Sequence, residues 1–156
     1  MVGATARHNR IARRLCTMLD RKLAGSPCEA FISDMKVRAG DAFYYPDVVV
    51  DCSSPDPEAT YLTSPVLIAE VLSESTEGRD RLEKWAAYRG LPDLREYVLV
   101  AQDRPSLEVL RRADDGWDRF LFEEDDRVAF ASVQLDFPLR ALYADCLLYT
   151  SPSPRD

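Results

Sequence analysis

Pro65-Val66-Leu67-Ile68-Ala69-Glu70-Val71-Leu72 carries one ionisable side chain in an otherwise apolar run. A short unbroken run of this kind reads as a central β-strand buried on both faces. An ionised carboxylate inside it is costly unless it meets a cation or a metal ion. Upstream, Pro46-Asp47-Val48-Val49-Val50-Asp51-Cys52 is a second short strand, β-branched and opened by proline, with Asp47 at its head. Two strands that each offer a carboxylate can converge on one hard cation, and Mg²⁺ takes one or two carboxylates plus waters and phosphate oxygens. From spacing alone, a buried ion pair at Glu70 and a turn-capping role for Asp47 stay open beside the metal reading.

Downstream of Glu70, the segment Asp80–Arg89 has helical spacing, with Leu82, Trp85 and Ala86 assigned to its core face. Gly90-Leu91-Pro92 stops it. Lys84 lies on this helix, and Arg81 and Tyr88 share its face at i−3 and i+4. Ser73 to Thr76 is a polar linker with capping residues. Before the first strand, His8 to Leu23 is an amphipathic helix. Ile11, Leu15, Met18 and Leu19 form its apolar stripe, and Arg10, Arg14 and Arg21 lie elsewhere on it. Glu29 to Arg38 reads as one strand and Gly40-Asp41 as a turn. Ser53 to about Ser64 is a loop, and Glu96 to Ala101 is another strand. Ser106–Arg111 and Trp117–Glu123 form a hairpin across Asp114-Asp115-Gly116, and Pro138–Tyr143 is a last short helix.

The 156 residues suit one domain, placed at residues 1–145. Residues 146–156 are rich in Ser and Pro, which suits a disordered tail, and they resemble translated sequencing-adapter read-through. No apolar run is long enough to span a membrane and no signal peptide is visible, so a cytoplasmic protein is expected. The four cysteines form no CxxC pair and His8 is the only histidine, which argues against a structural zinc site and against His-dependent hydrolases. The cysteines are expected as buried reduced thiols. No GxxxxGKS loop is present, which argues against an NTPase. The net charge of −7 lowers the expectation of a nucleic-acid partner without removing it, because the arginines cluster in the first segment.

The ordered set Tyr45-Pro46-Asp47-Val48-Val49-Val50, Pro65 to Thr76, Asp80 to Tyr88 and Leu94 to Val100 resembles the bacterial Uma-two family of restriction-endonuclease-like proteins, over about Ala6 to Tyr143. The resemblance implies an α/β fold with a PD-(D/E)xK core, a mixed β-sheet flanked by α-helices. It implies a metal-dependent endonuclease that hydrolyses phosphodiester bonds in nucleic acid, with DNA foremost. Asp47 and Glu70 would be its Mg²⁺ (or Mn²⁺) ligands and Lys84 its catalytic lysine, since Leu72 occupies the usual lysine position. His8 and Asp34 match recurrent polar positions of the family, and Arg10, Arg14, Arg81 and Tyr88 are candidates for substrate contact or support. A homodimer is common for this fold. Family members usually carry an upstream Tyr-Glu element, so the chain is expected to be truncated at its N-terminus. A non-catalytic nucleic-acid-binding or protein-interaction module on the same fold is the rival expectation. A hydrolase of small phosphorylated substrates is a third.

Overall fold

The computed structural model describes residues 4–73 and 78–144. The proposed tail at 146–156, and most of the capping linker at Ser73–Thr76, lie outside the described residues. The fold is α/β, a mixed sheet with helices on both faces, as expected. Thr5 caps helix α1 (Ala6–Leu23), its hydroxyl accepting the His8 backbone N–H. Ile11, Leu15, Leu19 and Leu23 are the buried stripe of α1, and each contributes about 1.5–3 kcal/mol by leaving water.

The main sheet has six strands: β1 (Glu29–Ile32), β4 (Val48–Asp51), β6 (Pro65–Val71), β7 (Glu96–Val100), β8 (Ser106–Ala113) and β9 (Gly116–Glu123), in the order β1-β4-β6-β7-β8-β9. Within this sheet, among the described residues, only the β6–β7 pair is parallel, because helix α2 (Arg79–Tyr88) crosses over between them. A smaller sheet sets β2 (Lys36–Ala39) between β3 (Ala42–Tyr44) and β5 (Tyr61–Leu62). A hairpin of β10 (Arg127–Phe130) and β11 (Leu135–Pro138) precedes the short helix α3 (Arg140–Tyr143).

Side chains alternate across the strands and build two cores of different character. On the α1 side, Val48, Val50, Leu67, Ala69, Val71, Val98 and Val100 meet the aliphatic stripe of α1. On the α2 side, Val49, Ile68 and Leu99 meet an aromatic group that includes Tyr88 and Tyr97. Here Trp85 stacks on Tyr97 at 5.5 Å, and Tyr88 meets both Tyr44 and Tyr97 edge-on at 5.3 Å.

Several expectations need correction. The single strand over Glu29–Arg38 is two strands, because the chain turns at Ser33-Asp34 and Met35 N–H returns to the Ile32 carbonyl. Strands β3, β5, β10 and β11 are too short to show periodicity in the sequence. Leu82 is 69 % exposed and Ala86 is also exposed. The inward stripe of α2 is instead Arg81, Lys84, Trp85 and Tyr88, which lies over a polar spot in the sheet. The reduced-thiol expectation fails for Cys28 and Cys52, which form a disulfide. The antiparallel register of β1 and β4, which sets Glu29 opposite Asp51, brings these two flanking residues together. Cys16 is free and half-buried, and Cys146 lies outside the described residues.

Glu96 shows how this fold handles a buried carboxylate that only builds structure. It is fully buried and accepts from Arg111 Nε at 2.8 Å, from the backbone N–H of Ala131 and Ser132 at 3.1 and 2.8 Å, and from the Ser132 hydroxyl. These bonds fix the β10–β11 connection to the start of β7. Glu96→Ala strands the Arg111 guanidinium and is expected to cost about 3–5 kcal/mol in urea unfolding.

Candidate functional site

Strands β4 and β6 pair antiparallel with Val48 opposite Ala69 and Val49 opposite Ile68. Continuing that register by one residue sets Asp47 opposite Glu70. Directly opposed residues in such a ladder bring their Cβ atoms to about 4.5–5.5 Å. The ladder also ends here. Asp47 Oδ2 accepts the Val71 backbone N–H at 2.7 Å, so the carboxylate takes the place of a strand carbonyl. Ser33 N–H donates to the Asp47 carbonyl at 3.2 Å and Ser33 Oγ donates to the Pro46 carbonyl at 3.0 Å, which holds the strand entrance.

His8 reaches the same carboxylate from the first turn of α1, with Nε2 at 3.3 Å from Asp47 Oδ2. The positive end of the helix dipole favours a carboxylate in this position. Thr5 Oγ1 is also 2.6 Å from Gln102 Oε1, and Gln102 Nε2 donates to the Leu72 carbonyl at 3.1 Å. The start of α1 is thereby tied to the segment that leaves Glu70.

Glu70 is 6 % exposed. Its Oε1 lies 3.3 Å from Lys84 Nζ, which is also 3.4 Å from Asp80 Oδ2 one helical turn away. Glu70 Oε2 is buried without a well-aligned hydrogen bond, and so are the hydroxyls of Tyr88 and Tyr97, which lie beside the Glu70 carboxylate and interact with it. Three neighbouring buried polar atoms that make no well-aligned hydrogen bond are unusual for a structural core. Burial raises the Glu70 carboxyl above its ordinary range, and this outweighs the Coulomb attraction and hydrogen bond of Lys84. The Asp47 charge pushes it the same way as burial. Burial pulls the Lys84 ammonium down, but the charges of Glu70 and then Asp80 overcome it, so the net shift is upward and the ammonium form is favoured. Burial, joined by the Glu70 charge, pushes both tyrosine hydroxyls far above their usual range, so they stay protonated.

The other residues singled out in the sequence disperse. Arg81 is half-exposed and held by Glu108, with Nη2 at 3.0 Å from Oε1. Arg14 Nη1 donates to the Ala144 carbonyl, close to the end of α3. Arg10 is exposed on α1. Asp34 is exposed in the turn after β1, next to the serine that fixes the Asp47 backbone. Leu72 packs half-buried against the aromatic core, so the usual lysine position is filled by an apolar side chain. Tyr97 was not foreseen. Its place in an apolar strand hides a hydroxyl that lies beside Glu70, and nothing local in the sequence signals it.

Asp47 and Glu70 fit a hard divalent cation as a donor set. Both are oxygen ligands on opposed strands, and the buried Glu70 Oε2 makes no well-aligned hydrogen bond. Among the described residues no group of three His, Cys, Asp or Glu side chains is arranged to hold a metal. An ion at this pair would complete its coordination with backbone, water or phosphate oxygens.

The His8–Asp47 pair has a pH signature. The hydrogen bond that His8 donates to Asp47 raises the His8 pKa above 6.5, against the opposing effect of burial. A raised folded pKa adds stability that is fully present below the unfolded pKa and is lost as pH rises through the folded one. The stability advantage of wild type over His8→Gln is therefore expected to be largest near about pH 6 and to fade by about pH 9 in urea titrations.

Comparison with known proteins agrees with this geometry at the level of fold and family. The sequence model of the Uma2 family, described as "Putative restriction endonuclease", matches residues 1–141. The Synechocystis protein slr1290 is 35 % identical over 92 % of this chain and 77 % of its own length. A second Synechocystis protein, sll1609, is 38 % identical over 74 % of this chain and 68 % of its own length. A crystal structure from Anabaena variabilis, described as "a putative nuclease belonging to DUF820", superposes with a TM-score of 0.77. It is 19 % identical and covers 94 % of this chain and 85 % of its own. With a restriction-endonuclease-like fold and a family match over nearly its whole length, the chain belongs to the Uma2 family, the Uma-two family of the sequence motifs.

Proposed function

We propose that the protein is a metal-dependent endonuclease that hydrolyses phosphodiester bonds in nucleic acid, with DNA as the first substrate to test. The observation that carries this reading is the Asp47–Glu70 pair, opposed when the β4–β6 register is continued by one residue, with Lys84 on one Glu70 oxygen and no well-aligned hydrogen bond on the other. Asp47 and Glu70 would hold Mg²⁺ or Mn²⁺. Bound there, the ion would offset charge on the phosphate and lower the pKa of a water.

The protein groups divide the remaining work. His8 and the Val71 N–H fix the orientation of Asp47 through its Oδ2. Lys84 is held as an ammonium by Glu70 and Asp80, which suits it to stabilise negative charge on the transferring phosphate and not to act as a base. Tyr88 and Tyr97 close the site from below and hold protonated hydroxyls beside Glu70. A water oxygen would attack phosphorus in line and the bond to the leaving sugar oxygen would break, the attacking water giving a proton to solvent and the leaving oxygen taking one from solvent. A homodimer would let two such sites act on two strands.

A cytoplasmic setting goes with this substrate. No helix among the described residues is long and apolar enough to cross a membrane. The Cys28–Cys52 disulfide is the feature that speaks against a reducing compartment.

A non-catalytic module on the same fold is favoured by a different observation: both carboxylates already meet protein donors, His8 and Lys84. Two measurements separate the readings. Mg²⁺ or Mn²⁺ at a hundredfold excess over its Kd is expected to stabilise wild type by about 2.7 kcal/mol, or roughly 5–10 °C in Tm, and Asp47→Asn/Glu70→Gln is expected to lose that shift. Cleavage of plasmid and of single-stranded DNA is expected with wild type, with Glu70→Gln and Lys84→Met each reduced by at least about a hundredfold. Cleavage by Glu70→Gln at the wild-type rate would sink the catalytic reading.

A further inference from the structure

The small sheet presents a second face that the site does not use. Val37, Ala39 and Tyr44 point into the aromatic core, so Lys36, Arg38 and Phe43 point away from it. Arg38 is opposite Phe43 in the β2–β3 register. Continuing that register past Val37–Tyr44 sets Lys36 opposite Tyr45, and Lys36 is also opposite Tyr61 of β5. Cations and aromatic rings therefore interleave across neighbouring strands. Lys36 Nζ lies 5.7 Å from the Phe43 ring centroid, and Phe43 meets Tyr61 edge-on at 5.3 Å. Arg38 is anchored within the hairpin by its Nε bond to the Gly40 carbonyl.

These rings are open to solvent. Tyr45 is 59 % exposed and Phe43 47 %, and Ile32 beside the same turn is 56 % exposed. The face is also next to the candidate site. Tyr45 precedes Asp47 by two residues, a Cα separation of no more than about 7 Å.

We propose that this face binds unpaired bases of a single-stranded stretch of nucleic acid. Tyr45 and Phe43 stack the bases, and Lys36 and Arg38 meet the phosphates. The strand then runs on toward Asp47 and Glu70. The inference rests on the nuclease reading and names its substrate class. The chemistry favours single strands for two reasons. Exposed rings give affinity only to bases whose faces are free, and in a duplex those faces are covered by their neighbours. Affinity for a duplex comes mainly from a long cationic track. Here two cations stand on a chain of net charge −7, with Asp34 and Asp41 at the ends of the strands.

The test is fluorescence anisotropy in EDTA, which separates binding from cleavage. Labelled single-stranded DNA of about 20 nucleotides is compared with the same sequence as a duplex. Wild type is expected to bind the single strand at least about tenfold more tightly. Tyr45→Ala and Phe43→Ala are each expected to weaken that binding about tenfold at unchanged Tm, while Tyr45→Phe retains it. Phe120→Ala, at an exposed ring on the far edge strand β9, is expected to bind as wild type. Equal affinity for duplex and single strand, or wild-type binding by both aromatic variants, overturns the proposal. Metal-dependent cleavage of duplex DNA that Tyr45→Ala leaves unchanged would do the same while leaving the nuclease reading intact. Absence of both binding and cleavage would remove both.

Discussion

Glu70 sits in the middle of the sheet with one oxygen on the Lys84 ammonium and the other without a well-aligned hydrogen bond, and much of the surrounding structure answers to that placement. An ion buried among apolar neighbours is tolerated only with a counter-charge in reach. The β6–α2–β7 crossover supplies it by laying α2 along the same face. That requirement explains why α2 turns Arg81, Lys84, Trp85 and Tyr88 inward and leaves Leu82 in water. The strand on the other side answers as well. β4 stops one residue short of Glu70, and Asp47 finishes the ladder with its side chain.

Two buried glutamates on adjacent strands make the contrast plain. Glu96 begins β7 and accepts from four donors drawn from Arg111, Ala131 and Ser132. Its lone pairs are used and its position is that of a fastener. Glu70 lies near the other end of the parallel pair, on the opposite face, and is under-bonded. The difference does not lie in burial, since both are nearly inaccessible. It lies in how many donors the fold has provided.

Much of this was legible in the sequence because it rests on local pattern. The apolar run around Glu70, the β-branched strand after Asp47, the stripe of α1 and the Asp114-Asp115 hairpin are each written in a few neighbouring residues. Lys84 could be found because the helix follows its strand directly. What stayed hidden depends on register between distant segments. The opposition of Asp47 to Glu70 follows from which β4 residue meets which β6 residue. The Cys28–Cys52 bridge follows from the β1–β4 offset, and the approach of His8 to Asp47 from how α1 docks on the sheet. The face of α2 was misread because apolar periodicity favours Leu82, while the actual contact is made by aromatic rings and long charged side chains.

The sheet also works as a partition. On one side lie close-fitting aliphatic chains whose polar needs are met. On the other lie stacked rings, an ion pair and three polar atoms without well-aligned hydrogen bonds. Apart from His8, which reaches from α1 to Asp47, stability and chemistry are thereby held on opposite surfaces of the same strands, and alternate residues of β4, β6 and β7 belong to different tasks. A lineage can then lose stability to a poorly solvated catalytic group and recover it by repacking beneath Leu15, Leu19 and Leu23, away from the turn of α1 that carries His8.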